Sequence, residues 1–234
     1  MFNPFYFQMA GMGFVILSMV LSLIASSMVN SSYRKYSRVS TIENVSGAEI
    51  ARRILATKGI HDVDVVLSSG GQLSDHYDPT KKIVALSPKV YNDSTIASVA
   101  VAAHEVGHAI QHHEAYGFIG LRNRILPAAI VSSKLAMFPI MIGLFNPNDR
   151  FFFWIGIALL GVTALFQVVT LPVEFDASFR AISIINSEGM LVESEQAGAK
   201  KMLTAAALTY VAALAATILN ILRLIAVRNS RRRN

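Results

Sequence analysis

The chain contains no cysteine. That removes a disulfide framework and any thiolate metal site, so a metal ion bound here must be held by histidine and carboxylate. The absence carries no information about compartment. Charge is scarce as well: only 15% of the 234 residues are Asp, Glu, Lys or Arg, against 53% hydrophobic. That balance is too apolar for an ordinary soluble domain and points to the membrane class. The 21 basic residues outnumber the 15 acidic ones, for a formal net charge of +6. Nucleic acid is one partner for such an excess. Here, however, the basic residues cluster beside apolar segments, where anionic headgroups and the positive-inside rule account for them. The expected partner is the lipid bilayer, with no nucleic acid.

Four stretches are apolar enough to span or enter a bilayer, which takes about 20 residues each. Phe5 to Val29 is uncharged and lacks the basic leading region of a cleavable signal peptide, so it reads as a signal anchor. Ile125 to Phe145, with Pro127, Lys134 and Pro139, is joined to Phe151 to Leu171 by Asn146-Pro147-Asn148-Asp149-Arg150, which makes a hairpin. Met202 to Ile225 is alanine-rich with scattered Thr, Tyr and Asn, a composition suited to close packing in a membrane bundle or to a buried or interfacial helix. Three to four transmembrane helices are therefore expected.

Flanking Lys and Arg set the orientation. Arg34, Lys35 and Arg38, then Arg122 and Arg124, then Arg180, Lys200 and Lys201 place residues 30–125 and 172–201 in the cytoplasm. Arg223, Arg228, Arg231, Arg232 and Arg233 disagree if the fourth segment crosses fully.

Between the first two spans lies a more polar stretch. Ser46-Gly47-Ala48-Glu49 is a capping box, and Ile50, Ile54 and Leu55 recur at helical spacing up to Gly59. Val63 to Leu67 reads as a strand. Gln72 to Tyr77 and Lys82 to Ser87 read as two more, flanking the turn Asp78-Pro79-Thr80-Lys81. Pro88 ends the last strand, and Asp93 or Ser94 caps the next helix. The expected order is helix, small antiparallel sheet, helix. An edge strand just before that second helix could pair with an extended substrate, or the sheet could be purely structural.

That helix carries His104-Glu105-Val106-Gly107-His108. Residues four apart stack on one face, about 6 Å along the axis, so two imidazoles can share one metal ion. From its place beside the first histidine, Glu105 reaches a water on that metal rather than the metal itself. A chance match on a helix with two ordinary histidines is the competing reading.

A third ligand is needed. Glu114 stands at the sixth position after His108, but the glycine expected at Gln111 in the longer H-E-x-x-H-x-x-G-x-x-H pattern is missing. His112 lies two turns past His104, about 12 Å away along the axis and too far to share its ion. It reads, like His113, as a solvated or membrane-facing residue. Acidic residues at the cytoplasmic mouth of the third span, Glu174 and Asp176, are costly at that depth and so are functional candidates. An interfacial pair neutralised by Arg180 or lysines is the alternative.

Three separated motifs resemble one family. Gly71 to Pro79 (with Leu73-Ser74-Asp75-His76-Tyr77-Asp78-Pro79), Ala102 to Gln111 and Leu171 to Ser178 are similar to the neutral zinc metallopeptidases of small bacterial membrane proteins, the YugP-type family. The resemblance covers nearly the whole chain. It extends distantly to the membrane-bound CAAX prenyl protease and heat-shock HtpX peptidases. It implies zinc held by His104, His108 and Glu174, with Glu105 as base. Those distant relatives carry an aspartate four residues after the ligand glutamate, where this chain has Ser178; Asp176 is the candidate to take over that supporting role. If Glu174 is the ligand, Asp176 falls on roughly the opposite helix face.

These readings combine into a mainly α membrane protein with a small α+β zincin-like catalytic domain. Residues 1–30 form the anchor, 31–124 the unit with the active-site helix and 125–172 the hairpin. Residues 173–201 carry the third ligand, and 202–234 form an apolar helix with a basic tail. The expected function is zinc-dependent hydrolysis of a peptide or membrane-protein substrate at the bacterial plasma membrane, on the cytoplasmic side. The expected cofactor is one catalytic Zn2+. Candidates for the oxyanion donor are His76, Tyr77 and Arg180; Asp75 or Asp176 could orient a ligand histidine. The rival class is a non-catalytic zinc-binding scaffold. A transporter, suggested only by Lys134, is a third reading.

Overall fold

The computed structural model describes residues 4–71, 73–146 and 150–231. In chain order these form helices α1 (Pro4–Tyr36) and α2 (Gly47–Thr57), then strands β1 (Asp64–Leu67), β2 (His76–Asp78) and β3 (Ile83–Leu86). Helices α3 (Pro88–Asn92), α4 (Ile96–His113), α5 (Gly117–Leu135), α6 (Met137–Phe145), α7 (Arg150–Ser187) and α8 (Glu193–Arg231) follow. Most of the turn expected at 146–150, together with Gln72 of the second strand and Arg232 and Arg233 of the tail, lies outside the described residues.

Four helical stretches among the described residues are long and apolar enough to cross a membrane: Gly11–Tyr36, Gly117–Phe145, Arg150–Ser187 and Glu193–Ser230. All four expected apolar stretches are thus helical, each helix longer than the sequence pattern suggested. The second comprises α5 and α6, which meet at Ala136. The third does not stop at Leu171: α7 continues through Pro172 to Ser187.

The chain divides into two compact units. One draws on the described parts of Met1–Ser26, Leu121–Leu171 and Thr209–Asn234. Its core joins Ala136, Ile140, Phe153 and Leu224. Glycines let the backbones meet there. A Cβ at Gly143 would lie 2.5 Å from that of Phe153, and one at Gly156 would run into Ile140 and the carbonyl of Ala136. Arg228 closes the group, with Nη1 donating to the Gly143 carbonyl at 2.8 Å and its guanidinium 4.5 Å from the Phe153 ring centroid.

The other unit, Ser27–Gly120 with Pro172–Leu208, surrounds α4. Ser46 caps α2 by accepting from the Glu49 amide at 3.3 Å, as the capping-box pattern requires, and Gly59 closes its far end at φ +68°. Ile50, Ala51, Ile54 and Leu55 on α2 are buried with Val99, Ala103, Val106 and Ile110 of α4 in one core. The sheet differs from expectation. Its order is β1-β3-β2, with β3 antiparallel to β2 but parallel to β1. The strand just before α4 in sequence, β3, is therefore central and has no free edge, so the pairing with substrate suggested for it is not open to it. Pro88 does end β3, but it also starts α3, with Ser87 as N-cap and proline in the first turn. The cap of α4 is Thr95, one residue beyond the expected pair, accepting from the Ser98 amide at 3.2 Å.

Candidate metal centre

Helix α4 places His104 and His108 one turn apart, with ring centroids 4.8 Å apart and the ring planes nearly perpendicular. Helix α7 brings Glu174 to them. Its Oε2 lies 3.4 Å from His104 Nε2 and 3.7 Å from His108 Nε2. One ligand atom from each of the three residues falls within 4.8 Å of the others, the one such grouping among the described residues. The side chains are 16%, 12% and 4% exposed for His104, His108 and Glu174.

The contact between the two helices depends on a glycine inside the motif. A Cβ on Gly107 would lie 2.7 Å from the Ala177 carbonyl oxygen and 3.2 Å from its Cα. Any larger residue would push α7 away from α4. Since Glu174 lies about one turn before Ala177 on α7, that close approach sets how far its carboxylate stands from the imidazoles.

Both histidines are held from behind. His104 Nδ1 lies 3.2 Å from the Ser178 hydroxyl. His108 Nδ1 lies 3.0 Å from Gln111 Oε1, and the Gln111 amide donates to the Val173 carbonyl at 2.7 Å and to Asp176 Oδ2 at 2.8 Å. Asp176 is also paired with Arg180, whose Nε lies 2.6 Å from Oδ2, and Arg180 Nη1 reaches Glu114 at 2.6 Å. Asp176 thus faces Gln111 and Arg180 while Glu174 joins the histidines. Burial works against a charged imidazole at His108. The Glu174 and Glu105 carboxylates beside it outweigh that burial and raise the His108 pKa above its ordinary value. The pocket is built to accept positive charge.

Glu105 is half-buried on α4 and makes no hydrogen bond or ion pair with any described residue. The other residues singled out from the sequence are more scattered. Asp75 accepts from the amide and hydroxyl of Ser87 at 2.7 and 3.0 Å, joining the loop before β2 to the end of β3. His76 is exposed, with its Nδ1 2.8 Å from the Ser74 carbonyl. Tyr77 packs against His112, ring centroids 6.0 Å apart. Burial, with the charges of Asp62 and Asp78, raises the Tyr77 pKa and keeps it a hydrogen-bond donor. Arg180 is occupied by two carboxylates and lies 5.9 Å from the Tyr116 ring centroid. His112 and His113 are exposed.

Two nitrogen donors and a carboxylate oxygen form a donor set that zinc favours, and a buried carboxylate whose ionic partners are two imidazoles is matched by a cation placed among them. The donor set therefore fits the metal. The chain matches the family described as "Putative neutral zinc metallopeptidase" over residues 12–229. It belongs to that family. It is also 43% identical over 212 residues to the "Putative membrane protease YugP" of Bacillus subtilis (strain 168), covering 91% of this chain and 93% of that protein. No solved structure matches. Within the family pattern, two supports of the site went unrecognised in the sequence: Gln111, noticed there only as a missing glycine, and Ser178, noticed only as a missing aspartate. Gln111 stands three residues after His108, a spacing at which helix side chains meet, and that was the available signal.

Proposed function

We propose that the protein is a membrane-embedded zinc metalloendopeptidase that hydrolyses peptide bonds in peptide or membrane-protein substrates. The observation that carries this reading is the convergence of His104 and His108 on α4 with the buried Glu174 carboxylate on α7. These three would hold the ion, and three protein ligands are the number typical of catalytic rather than structural zinc. When bound, zinc supplies electrophilic polarisation of the scissile carbonyl and of the attacking water. Glu105 takes the water's proton and returns it to the leaving amine, work for which a carboxylate with no hydrogen bond or ion pair among the described residues is suited. Ser178 and Gln111 hold the ligand histidines by their Nδ1 atoms, which leaves the Nε2 atoms facing Glu174. Tyr77, kept protonated, is the candidate to stabilise the oxyanion; His76 is a weaker one, and Arg180 is already engaged.

Metal analysis of the purified protein, with hydrolysis of membrane and unfolded substrates, tests the reading. Glu105→Gln is expected to keep the fold and the zinc while losing about 100- to 10,000-fold in turnover, the usual weight of a general base. A stoichiometric zinc protein whose turnover is indifferent to Glu105 would instead be the non-catalytic scaffold.

The flanking charges support a cytoplasmic active site at the bacterial plasma membrane. The length of Glu193–Ser230 supports a fourth full crossing, which puts both termini on the same, external side. That leaves the basic tail against the charge rule, although Arg228 is committed to Gly143 and Phe153. A reporter near residue 60 should then read cytoplasmic, and reporters at Asn148 and the C-terminus external. The opposite set of readings inverts the protein.

A further inference from the structure

The two histidines of the cluster differ in what stands behind them. Ser178 offers His104 a hydroxyl, which can donate or accept and so compels neither imidazole tautomer. Behind His108 stands a fully buried amide. The Gln111 nitrogen donates to a backbone carbonyl, that of Val173, and to a carboxylate ion-paired with Arg180, that of Asp176. Neither partner can donate. The amide therefore has one satisfied orientation, with its oxygen facing His108 Nδ1 at 3.0 Å. An amide oxygen only accepts, so Nδ1 must carry the proton. In the neutral imidazole the nitrogen left bare is then Nε2, the atom 3.7 Å from Glu174. Beyond Asp176 the chain of contacts continues through Arg180 to Glu114, so α4 and α7 are joined by charge at its outer end.

We infer that Gln111, oriented by Asp176 and Arg180, is a positioning residue that fixes His108 in the Nδ1–H tautomer and aims its Nε2 at the metal position. Its use rests on the zinc-peptidase reading, but its test does not depend on it. A buried amide here also accounts for the absence of glycine at 111, because glycine would leave Nδ1, Val173 and Asp176 without their common partner.

The experiment uses the full chain in detergent micelles, metal-free and with 15N-labelled histidine, above the imidazole titration range. His108 is assigned by the signals lost in His108→Gln. The parent should show the Nδ1–H pattern for His108. Gln111→Glu should keep it, because an ionised carboxylate accepts from Nδ1–H, and a protonated one donates to Asp176 while its carbonyl oxygen still faces His108. Gln111→Met, similar in volume but without the oxygen, should give a mixture of tautomers. In a competition assay with a chromophoric chelator, Gln111→Met should bind zinc roughly 10- to 100-fold more weakly, and Gln111→Glu close to the parent. If Gln111→Met does not fold, Asp176→Ala replaces it. That side chain is 26% exposed, and its loss leaves only the Val173 carbonyl to orient the amide, with a smaller change in the same direction expected. An Nε2–H pattern in the parent overturns the inference. So does a folded Gln111→Met, or Asp176→Ala in its place, with unchanged tautomer and zinc affinity. Failure of the parent to bind zinc would count against the peptidase reading, and the tautomer measurement would still decide this one.

Discussion

In the unit that carries the His104–His108–Glu174 cluster, Gly107 meets the backbone of Ala177; in the unit built from apolar helices, Gly143 and Gly156 meet Phe153, Ala136 and Ile140. Both units thus bring helices together by omitting a side chain; in the spanning unit this is how close helix packing is achieved where lipid removes the hydrophobic drive. What surrounds the contact differs. Beside Gly107 stand two imidazoles, a buried carboxylate and the Gln111–Asp176–Arg180–Glu114 chain. Beside Gly143 stand aliphatic and aromatic side chains and a single arginine. A close helix contact is therefore structural by itself. It becomes part of a site only where it fixes the distance between ligands on different helices.

The largest expected effect is at the proposed ligand on α7. Glu174→Ala leaves two histidines and no cysteine to hold zinc, so zinc content of the purified protein should fall sharply, whereas Asp176→Asn should weaken affinity by roughly tenfold, as outer contacts do. Zinc bound stoichiometrically by Glu174→Ala but lost in Asp176→Asn would show that the other carboxylate is the ligand.

The comparison breaks or holds on two alanines. Gly107→Ala and Gly143→Ala each add one methyl to a closed contact, and overpacking of that kind costs about 1–3 kcal/mol. If the contact at Gly107 sets the ligand distance, Gly107→Ala should lower zinc affinity as well as thermal stability. Gly143→Ala should lower stability alone. Equal zinc affinity in both variants would mean that the cluster adjusts to helix spacing, and the distinction between the two units would fall.

Much of this was legible in the sequence because it depended on local pattern. The four spans, the capping box at Ser46 and the one-turn spacing of His104 and His108 are properties of contiguous residues, and they stand where expected. Pro88 ends β3 as expected, but its second role as the start of α3 was not legible, because proline is compatible both with a strand's end and with a helix's first turn. What failed otherwise depended on distant partners. Parallel pairing of β1 with β3 is decided by strands with β2 between them in the chain, so adjacency in sequence suggested the wrong sheet. Gln111 drew no attention because two of its three partners, Val173 and Asp176, lie 62 and 65 residues away on another helix. A buried amide has no meaning until its acceptors are known.

The smallest expected effect concerns the arginine of the spanning unit. Arg228 is 9% exposed and combines a hydrogen bond to the Gly143 carbonyl, near the C-terminal end of α6, with stacking on Phe153. A cation suits that position, since the last carbonyls of a helix are unpaired and carry partial negative charge. Arg228→Lys keeps the charge but loses the planar face, so it removes the stacking component, worth about 0.5–2 kcal/mol, and leaves part of the electrostatic one. Thermal unfolding followed in micelles should show a modest loss for Arg228→Lys and a larger one for Arg228→Met. Met removes both components and leaves the Gly143 carbonyl without this donor, a cost of about 1–3 kcal/mol. Zinc affinity should be unchanged in both. A drop in zinc affinity with Arg228→Lys would mean that the charge of the spanning unit acts on the metal site after all.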